Sequence, residues 1–248
     1  MADVDVLIYD VQDLGVRFYT YINVLRDIME ACAENNIELM ILDRPNPNAY
    51  LIDGPILDMK HKSGIGQFPL PVAHGLTTAE FAQMVKGEGW MSNADQLSLK
   101  VVPIANYAHH MMYKLPVNPS PNLNTEQSIL LYPSTCLFEG VKINHGRGTD
   151  YPFVILGGPN YKGVYDFSFV PESKKGMSET PLFMGETCYG IDLRNYDLQQ
   201  LEKKKKLNLA WLLELYANSN EKDAFFDQAF SKQIGSIEKL IGVDAFRD

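Results

Sequence analysis

Two apolar runs separated by an amphipathic segment open the chain, and this order constrains the fold more than any other feature. Residues 4–10 and 37–43 are continuous apolar stretches that each end in aspartate, which is typical of parallel strands covered on both faces. Between them, apolar residues recur at helical spacing from Tyr21 to about Asn35. The pattern predicts a βαβ unit with a right-handed crossover.

Later segments extend this alternation. Residues 97–104 form a third predicted strand, and Thr77 followed by Glu80 has the spacing of a capping box that opens a helix. A proline-stiffened loop leads into a short helix, for which Asn124 is the predicted N-cap. These elements predict a doubly wound α/β domain over residues 1–135.

The composition of the chain changes near Gly140. A glycine-rich stretch contains one strand, and "YDFSFVPES" and "CYGIDLR" are typical of strands in a mixed or antiparallel sheet. Helices are predicted over residues 207–219 and 222–240. We expect a smaller α+β domain over residues 136–248, with a ligand site between the two domains.

Composition and missing motifs exclude several functions. The net charge of −9 argues against nucleic acid as a partner, because phosphate recognition needs a basic surface. The widely spaced Cys32, Cys136 and Cys188 predict buried thiols rather than disulfides or a zinc site. No run approaches the ~20 apolar residues of a membrane span. The chain also lacks G-x-G-x-x-G, P-loop and G-x-S-x-G motifs, which removes the main support for nucleotide binding or a serine hydrolase.

The loops after the first two strands carry most of the polar candidates. Ligands of open α/β sheets bind at the carboxyl ends of the strands, so "DVQDLGVRFYTY" and "DRPNPNA" are expected to share one cleft. Arg17 is expected to pair with Asp13 and hold the loop. Tyr19 and Tyr21 suit the apolar faces of a sugar ring, although packing on the sheet explains them almost equally well.

Each of these loops has a second interpretation. Asp10, Asp13 and Asp43 could hold Mg²⁺, yet aspartates at strand ends often only accept hydrogen bonds from loop amides. The two prolines of "DRPNPN" present Arg44 and Asn46 on a stiff backbone. That stiffness fits both a binding loop and a tight sheet-edge turn.

Two further segments carry candidate residues. His74 precedes a glycine on a predicted loop, where it could contact a ligand, whereas the capping box accounts for Glu80. In "FEGVKINHGRGTDYPF", Glu139 is followed by a glycine-rich turn with Arg147. Its amides could form a nest for an anionic group, or the segment could be only a tight turn between strands.

Seven stretches together resemble the exo-β-N-acetylmuramidases of peptidoglycan recycling, formerly domain of unknown function 1343 and now glycoside hydrolase family 171. They occur in the family's order and cover most of the chain. The stretches are "DVQDLGVRFYTY", "DRPNP", "HGLTTAE", "PSPN", "YPSTCLFEG", "GRGTDYPF" and "YGIDLR".

The resemblance implies a Rossmann-like N-terminal domain, a smaller C-terminal domain and a cleft between them. It also implies release of N-acetylmuramic acid, without a cofactor, from the non-reducing end of peptidoglycan-derived saccharides. A bacterial periplasmic or secreted location would follow. The lactyl carboxylate of that sugar would give Arg147 or Arg17 an anion to bind.

The chain departs from the family pattern at four places. The Gly-Pro-Glu-His-Gly pattern, whose glutamate is the family's leading candidate for the catalytic acid, does not occur. Ala73 stands where the family has arginine, and Asn144 and His145 stand where many members have Ser-Glu. The chain also stops at "VDAFRD", short of the family's usual last helix. These differences predict a chain shortened at both ends, possessing much of the sugar site but with impaired catalysis.

Glycoside hydrolysis needs two groups that flank the bond, so the predicted catalytic residues are carboxylates on the loops: Asp13, Glu139 and Asp10. Alternative functions are a non-catalytic binder of peptidoglycan-derived sugars and, with weaker support, a metal-dependent phosphoryl-transfer protein. The predicted substrate-binding residues are Arg17, Tyr19, Tyr21, Arg44, Asn46, His74, Ser120, Asn122 and Arg147.

Overall fold

The computed structural model describes residues 3–226 and 236–244 and has a mixed α/β architecture. Its strands are β1 (Val6–Tyr9), β2 (Glu38–Leu42), β3 (Ile52–Asp53), β4 (Ala73–His74), β5 (Leu99–Val102), β6 (Ile155–Gly158), β7 (Ser168–Phe169) and β8 (Cys188–Asp192). Its helices are α1 (Tyr21–Asn35), α2 (Thr78–Gly87), α3 (Glu126–Thr135), α4 (Gln199–Lys204), α5 (Ala210–Asn218) and α6 (Ile237–Ile241).

The N-terminal half forms a parallel sheet in the order β1-β2-β5. This confirms the predicted βαβ unit, and the bounds of α1 match the predicted helix. The helix ends where Asn36 adopts a left-handed conformation, which asparagine tolerates better than most residues. At the start of α2, Thr77 and Glu80 form the predicted capping box, with each side chain accepting the other residue's N–H.

One face of this sheet is buried and the other is open. Leu39 and Ile41 are fully buried in a core with the apolar sides of α1 and α2. Val6 and Ile8 alternate with the buried positions of β1 and are 40% and 59% exposed. The prediction that these strands are covered on both faces is therefore wrong for the described residues, which place α1 and α2 on the same face.

The second half is built around an antiparallel sheet in the order β6-β8-β7, as predicted for its strands. Its core takes Leu14, Val16 and Phe18 from the loop after β1, so that loop packs against the second half of the chain. Thr125, and not Asn124, is the N-cap of α3, because its hydroxyl accepts the N–H of Ser128.

Some of the remaining predictions hold and others do not. The three cysteines are buried free thiols, and α5 lies within the predicted 207–219 helix. The predicted 222–240 helix crosses residues 227–235, which lie outside the described part; within that part only α6 falls in its span as a helix. The division at residues 135 and 136 stays a prediction. In residues 3–226 and 236–244 no helix combines the length and apolar character needed to cross a bilayer.

Candidate functional site

The loops that follow β1 and β2 meet at the carboxyl edge of the sheet, as predicted. The Arg44 Nε atom lies 2.6 Å from Asp10 Oδ1 in a half-exposed ion pair. Gln12 Nε2 donates to the Pro45 carbonyl over 2.8 Å, and Asn48 Nδ2 donates to the Leu14 carbonyl over 3.0 Å. The two loops therefore support each other.

Asp43 has a structural task at this edge. Its carboxylate accepts hydrogen bonds from the Ala79 N–H (3.0 Å) and the Thr77 hydroxyl (2.8 Å), so it extends the N-terminal cap of α2. Asp10 is occupied by Arg44. Among the described residues, no three His, Cys, Asp or Glu side chains are grouped to hold a metal ion. The geometry fits the capping interpretation of Asp43 and not the Mg²⁺ interpretation.

Asp13 and His74, here called the Asp13 pair, are both buried, with His74 Nε2 3.8 Å from Asp13 Oδ2. Burial raises the pKa of Asp13 to about 7, opposed by hydrogen bonds from the N–H groups of Gly15 and Leu14. Burial, together with the charge of Arg17, lowers the pKa of His74 to about 3. Near neutral pH, His74 is uncharged and Asp13 holds its proton to higher pH than an ordinary carboxyl group, so the pair is not an ordinary salt bridge.

The hydrogen bonds of the Asp13 pair define which ring nitrogen of His74 carries the proton. His74 Nδ1 accepts the Leu76 N–H over 3.2 Å, which leaves the proton of the neutral ring on Nε2. Neither His74 Nε2 nor Asp13 Oδ1 has a hydrogen-bond partner within the described residues. His74 was predicted on a loop, but it lies in β4, a strand too short for a sequence pattern to reveal.

Arg17 does not pair with Asp13 as predicted. Its side chain is fully buried and donates to three backbone carbonyls, those of Pro55 (3.2 Å), Leu70 (2.6 Å) and Leu240 (2.8 Å). These carbonyls come from distant parts of the chain, so Arg17 fastens them together. A guanidinium buried in this way has no open surface toward a ligand.

Asn46 is also buried and used internally. Its Nδ2 donates to the Leu76 carbonyl over 3.0 Å, and its Oδ1 accepts the Asn48 N–H over 2.8 Å. The stiff "DRPNPN" segment therefore behaves as a sheet-edge turn at Asn46, while Arg44 remains half-exposed.

Tyr19 and Tyr21 lie together at the start of α1, with ring centroids 5.0 Å apart. The Tyr19 hydroxyl donates to the Pro119 carbonyl over 3.0 Å, which brings the loop of Ser120 and Asn122 to this wall. Asn122 Nδ2 donates in turn to the Met177 carbonyl over 2.9 Å. Tyr21 is exposed and Tyr19 is half-buried, so both present ring surface outward.

Glu139, His145 and Arg147, here called the Glu139 cluster, form a largely buried group of polar side chains in the second half. Arg147 donates to Glu139 Oε1 through Nη2 (2.5 Å) and Nε (3.2 Å). Arg147 Nε also donates to His145 Nε2 over 3.0 Å. Burial by itself would raise the pKa of Glu139, but His145 and Arg147 outweigh it and lower this pKa to about 2. Glu139 is therefore a carboxylate at every physiological pH.

The backbone of the "HGRGT" segment is a tight turn that positions Arg147. The Gly146 N–H donates to Asn144 Oδ1 over 2.7 Å, and the Thr149 N–H donates to the Gly146 carbonyl over 3.1 Å. Gly146 and Gly148 both have positive φ, and a Cβ on Gly146 would collide with the Tyr151 carbonyl. The tight-turn interpretation fits this segment, since Asn144 already occupies the Gly146 amide of the proposed anion nest.

Aromatic side chains that sequence reasoning missed connect the Tyr19 wall to the Glu139 cluster. The Tyr132 ring lies 6.1 Å from that of Tyr19 and 4.9 Å from that of Phe153, centroid to centroid. The Arg147 guanidinium lies 5.1 Å from the Phe153 ring centroid. Phe153 has φ of 63°, an unusual conformation for a bulky residue that its buried contacts must maintain. No local sequence pattern distinguishes these two aromatics from ordinary core residues.

Fold and site together define a mixed α/β protein with two buried carboxyl groups of opposite character. One is Glu139, held ionised beside an arginine, and the other is Asp13, whose pKa is raised to about 7. Pairs of titratable groups whose pKa values are pushed apart are typical of acid–base sites.

The chain belongs to the exo-β-N-acetylmuramidase NamZ family. Residues 1–127 match the sequence model "Exo-beta-N-acetylmuramidase NamZ, N-terminal", and residues 130–248 match its C-terminal counterpart. The peptidoglycan β-N-acetylmuramidase NamZ of Bacillus subtilis (strain 168) is 38% identical over 219 residues. This match covers 83% of the chain and 52% of the relative.

Two solved structures share the fold, and both are DUF1343 family proteins from Bacteroides fragilis. The match with one of them has a TM-score of 0.90 at 45% identity and covers 98% of this chain and 66% of the chain of that protein. The other has a TM-score of 0.75 at 25% identity and covers 100% of this chain and 67% of its own. The chain spans about half the length of the Bacillus relative and about two thirds of these two structures.

Proposed function

We propose that this protein is an exo-acting glycoside hydrolase that releases N-acetylmuramic acid from the non-reducing end of peptidoglycan fragments. Membership of the NamZ family supports the substrate class. The observation that carries the proposal is the run of ring contacts from Tyr19 through Tyr132 and Phe153, which connects the loop of Asp13 with Arg147 and Glu139. The two carboxyl groups have pKa values shifted in opposite directions, and glycoside hydrolysis needs one protonated and one ionised group.

The pKa values suggest roles for the two groups. Glu139 cannot donate a proton at neutral pH, so it would act as a base or stabilise positive charge that develops on the sugar ring. Asp13 retains a proton to much higher pH and would supply the general acid, with His74 Nε2–H beside it. Asp10, bound by Arg44 at the outer edge, is the weakest of the three predicted catalytic candidates.

The surrounding side chains suggest how a sugar would be held. Tyr19 and Tyr21 would offer ring surface to the apolar face of the pyranose. Arg147, anchored by Glu139 and lying over Phe153, would face the lactyl carboxylate. We also propose a Rossmann-like arrangement for the N-terminal sheet, supported by its parallel strands, and a location outside the cytoplasm, where peptidoglycan lies.

The test is product analysis on a defined saccharide that carries N-acetylmuramic acid at its non-reducing end and N-acetylglucosamine beneath it. We expect free N-acetylmuramic acid and a product shortened by one residue, resolved by mass spectrometry over time. Binding of the saccharide without any cleavage would refute the hydrolase and support the non-catalytic binder. Cleavage inside the chain would refute the exo mode.

A further inference from the structure

A groove beside the turn that carries Arg147 is assigned no role by the proposed reaction. It has a volume of about 380 Å³, within the ~300–1,000 Å³ range of ligand pockets. It begins at Gly148, the residue after Arg147, and is lined by Tyr151, Phe167, Phe169 and Arg194 among others. We call it the Tyr151 groove.

Its floor and walls are built from aromatic faces. The rings of Phe167 and Phe169 are nearly parallel, with centroids 5.9 Å apart and planes inclined by 30°. The Arg194 guanidinium lies 4.9 Å from the Tyr151 ring centroid and 5.3 Å from that of Phe167. Tyr151 is 41% exposed, and Phe167 and Phe169 are partly exposed, so aromatic surface faces solvent beside paired polar groups.

Both cations that line the groove are already paired with carboxylates. Asp192 binds Arg194 through both carboxylate oxygens, the shortest contact being 2.7 Å. Lys174 Nζ lies 2.7 Å from Asp150 Oδ1. Glu172 adds a further carboxylate at the rim. A ligand with its own carboxylate would find no uncompensated cation here, whereas the hydroxyl and acetamido groups of a neutral sugar would find donors and acceptors.

The groove is also tied to the turn that carries Arg147. The Glu172 N–H donates to the Gly148 carbonyl over 2.9 Å, and a Cβ on Gly148 would lie 2.5 Å from the Pro181 ring. The wall of the groove is therefore joined to the turn that carries Arg147 by a hydrogen bond and by close packing. A saccharide that entered the cluster with one residue could extend into the groove with the next.

We propose that the Tyr151 groove binds the neutral N-acetylhexosamine residues on the leaving-group side of the scissile bond. This rests on the proposed function, in which the charged muramic acid residue occupies the Glu139 cluster. The aromatic faces would stack on the pyranose ring, and Asp150, Glu172 and Lys174 would bind its polar rim.

The experiment measures binding of N,N′,N″-triacetylchitotriose, a neutral β-1,4 N-acetylglucosamine trimer, by calorimetry. We expect Tyr151→Ala to weaken binding by about 3- to 10-fold, the range that a stacked aromatic contributes. Tyr151→Phe, which retains the ring, should stay within about twofold of the wild type by the same reasoning. Tyr165→Ala is the matched control, because Tyr165 contacts Glu214 and Tyr161 and does not line the groove.

A parallel assay separates this proposal from the proposed function. Hydrolysis of β-N-acetylmuramosyl fluoride, whose leaving group is a single atom that does not reach the groove, should be unchanged by Tyr151→Ala. Absence of chitotriose binding, or equal binding by the wild type and Tyr151→Ala, overturns the groove whatever the hydrolysis shows. Failure of muramide hydrolysis with the expected loss of chitotriose binding refutes the hydrolase and supports the groove as a neutral-sugar site, but not its place beside a scissile bond.

Discussion

Asp13 and His74 are buried side by side, yet their contributions to stability change with pH in opposite directions. The pKa of Asp13 is raised from its ordinary ~3.9 to about 7, so the folded state holds a proton that the unfolded state has lost. Its contribution to stability is fully present at low pH and is lost as pH rises through about 7. The pKa of His74 is lowered from ~6.5 to about 3, so its contribution is present above ~6.5 and is lost as pH falls.

Single substitutions should reveal how each of these two groups makes the free energy of unfolding depend on pH. Between pH 5 and pH 8, the free energy of unfolding of Asp13→Asn should rise by ~2–3 kcal/mol relative to that of the wild type. The reason is that the variant has no buried carboxyl group that must lose a proton over this range. His74→Gln should show the reverse trend, gaining relative to the wild type as the pH falls from 7 to 5. Urea unfolding across this range measures both. Parallel pH profiles for the three proteins would contradict the assigned pKa shifts.

Single residues also mark where sequence reasoning failed. Arg17 was expected to pair with the nearest carboxylate, but it binds carbonyls of residues 55, 70 and 240, and a carbonyl has no sequence signature. Tyr132 and Phe153 join the two halves of the site, although nothing local separates them from other core aromatics. Glu139 and Arg147 were singled out because charged groups beside glycines are conspicuous in a sequence; the structure brings the two into contact, and their roles stay a prediction.

At the scale of single elements, local patterns predicted the structure well. The apolar spacing of α1 gave both of its ends, and Thr77 and Glu80 gave the start of α2. The signal weakened for shorter elements. The six-residue α4 was not predicted, since a run of lysines carries no apolar periodicity. The N-cap of α3 was predicted one residue too early because Asn124 and Thr125 are adjacent and both are good caps.

The N-terminus of α2 offers a quantitative test at this scale. Thr77 Oγ1 accepts the Glu80 N–H and donates to Asp43, which itself caps the Ala79 N–H. Thr77→Ala should therefore lower the free energy of unfolding by ~2 kcal/mol, the upper end for N-cap substitutions. The measurement is the urea unfolding midpoint at constant pH.

Thr125→Ala at the start of α3 is the matched control. Thr125 also forms a capping box, with Ser128, but its hydroxyl has no further carboxylate partner among the described residues. We expect a cost of ~1 kcal/mol there. Equal costs at the two helices would show that the Asp43 contact adds nothing.

For the whole molecule, the order of elements predicted which sheet is parallel and which is antiparallel. It did not predict which core each loop packs in. The strands of the first half are parallel and those of the second half antiparallel, as their patterns indicate. The loop after β1, however, leaves the first core and packs in the second. This exchange brings Tyr19 toward Tyr132 and the Glu139 cluster, and it depends on long-range packing that no local pattern records.

We propose above that this molecule hydrolyses N-acetylmuramides with the help of the Glu139 carboxylate. The most direct measurement is the initial rate of aryl release from a chromogenic β-N-acetylmuramide by the wild type and by Glu139→Gln. We expect clear release by the wild type and a loss of at least ~100-fold in the variant, in line with removal of a positioned acid–base or charge-stabilising group. No release by the wild type, or an undiminished rate in Glu139→Gln, would contradict the claim.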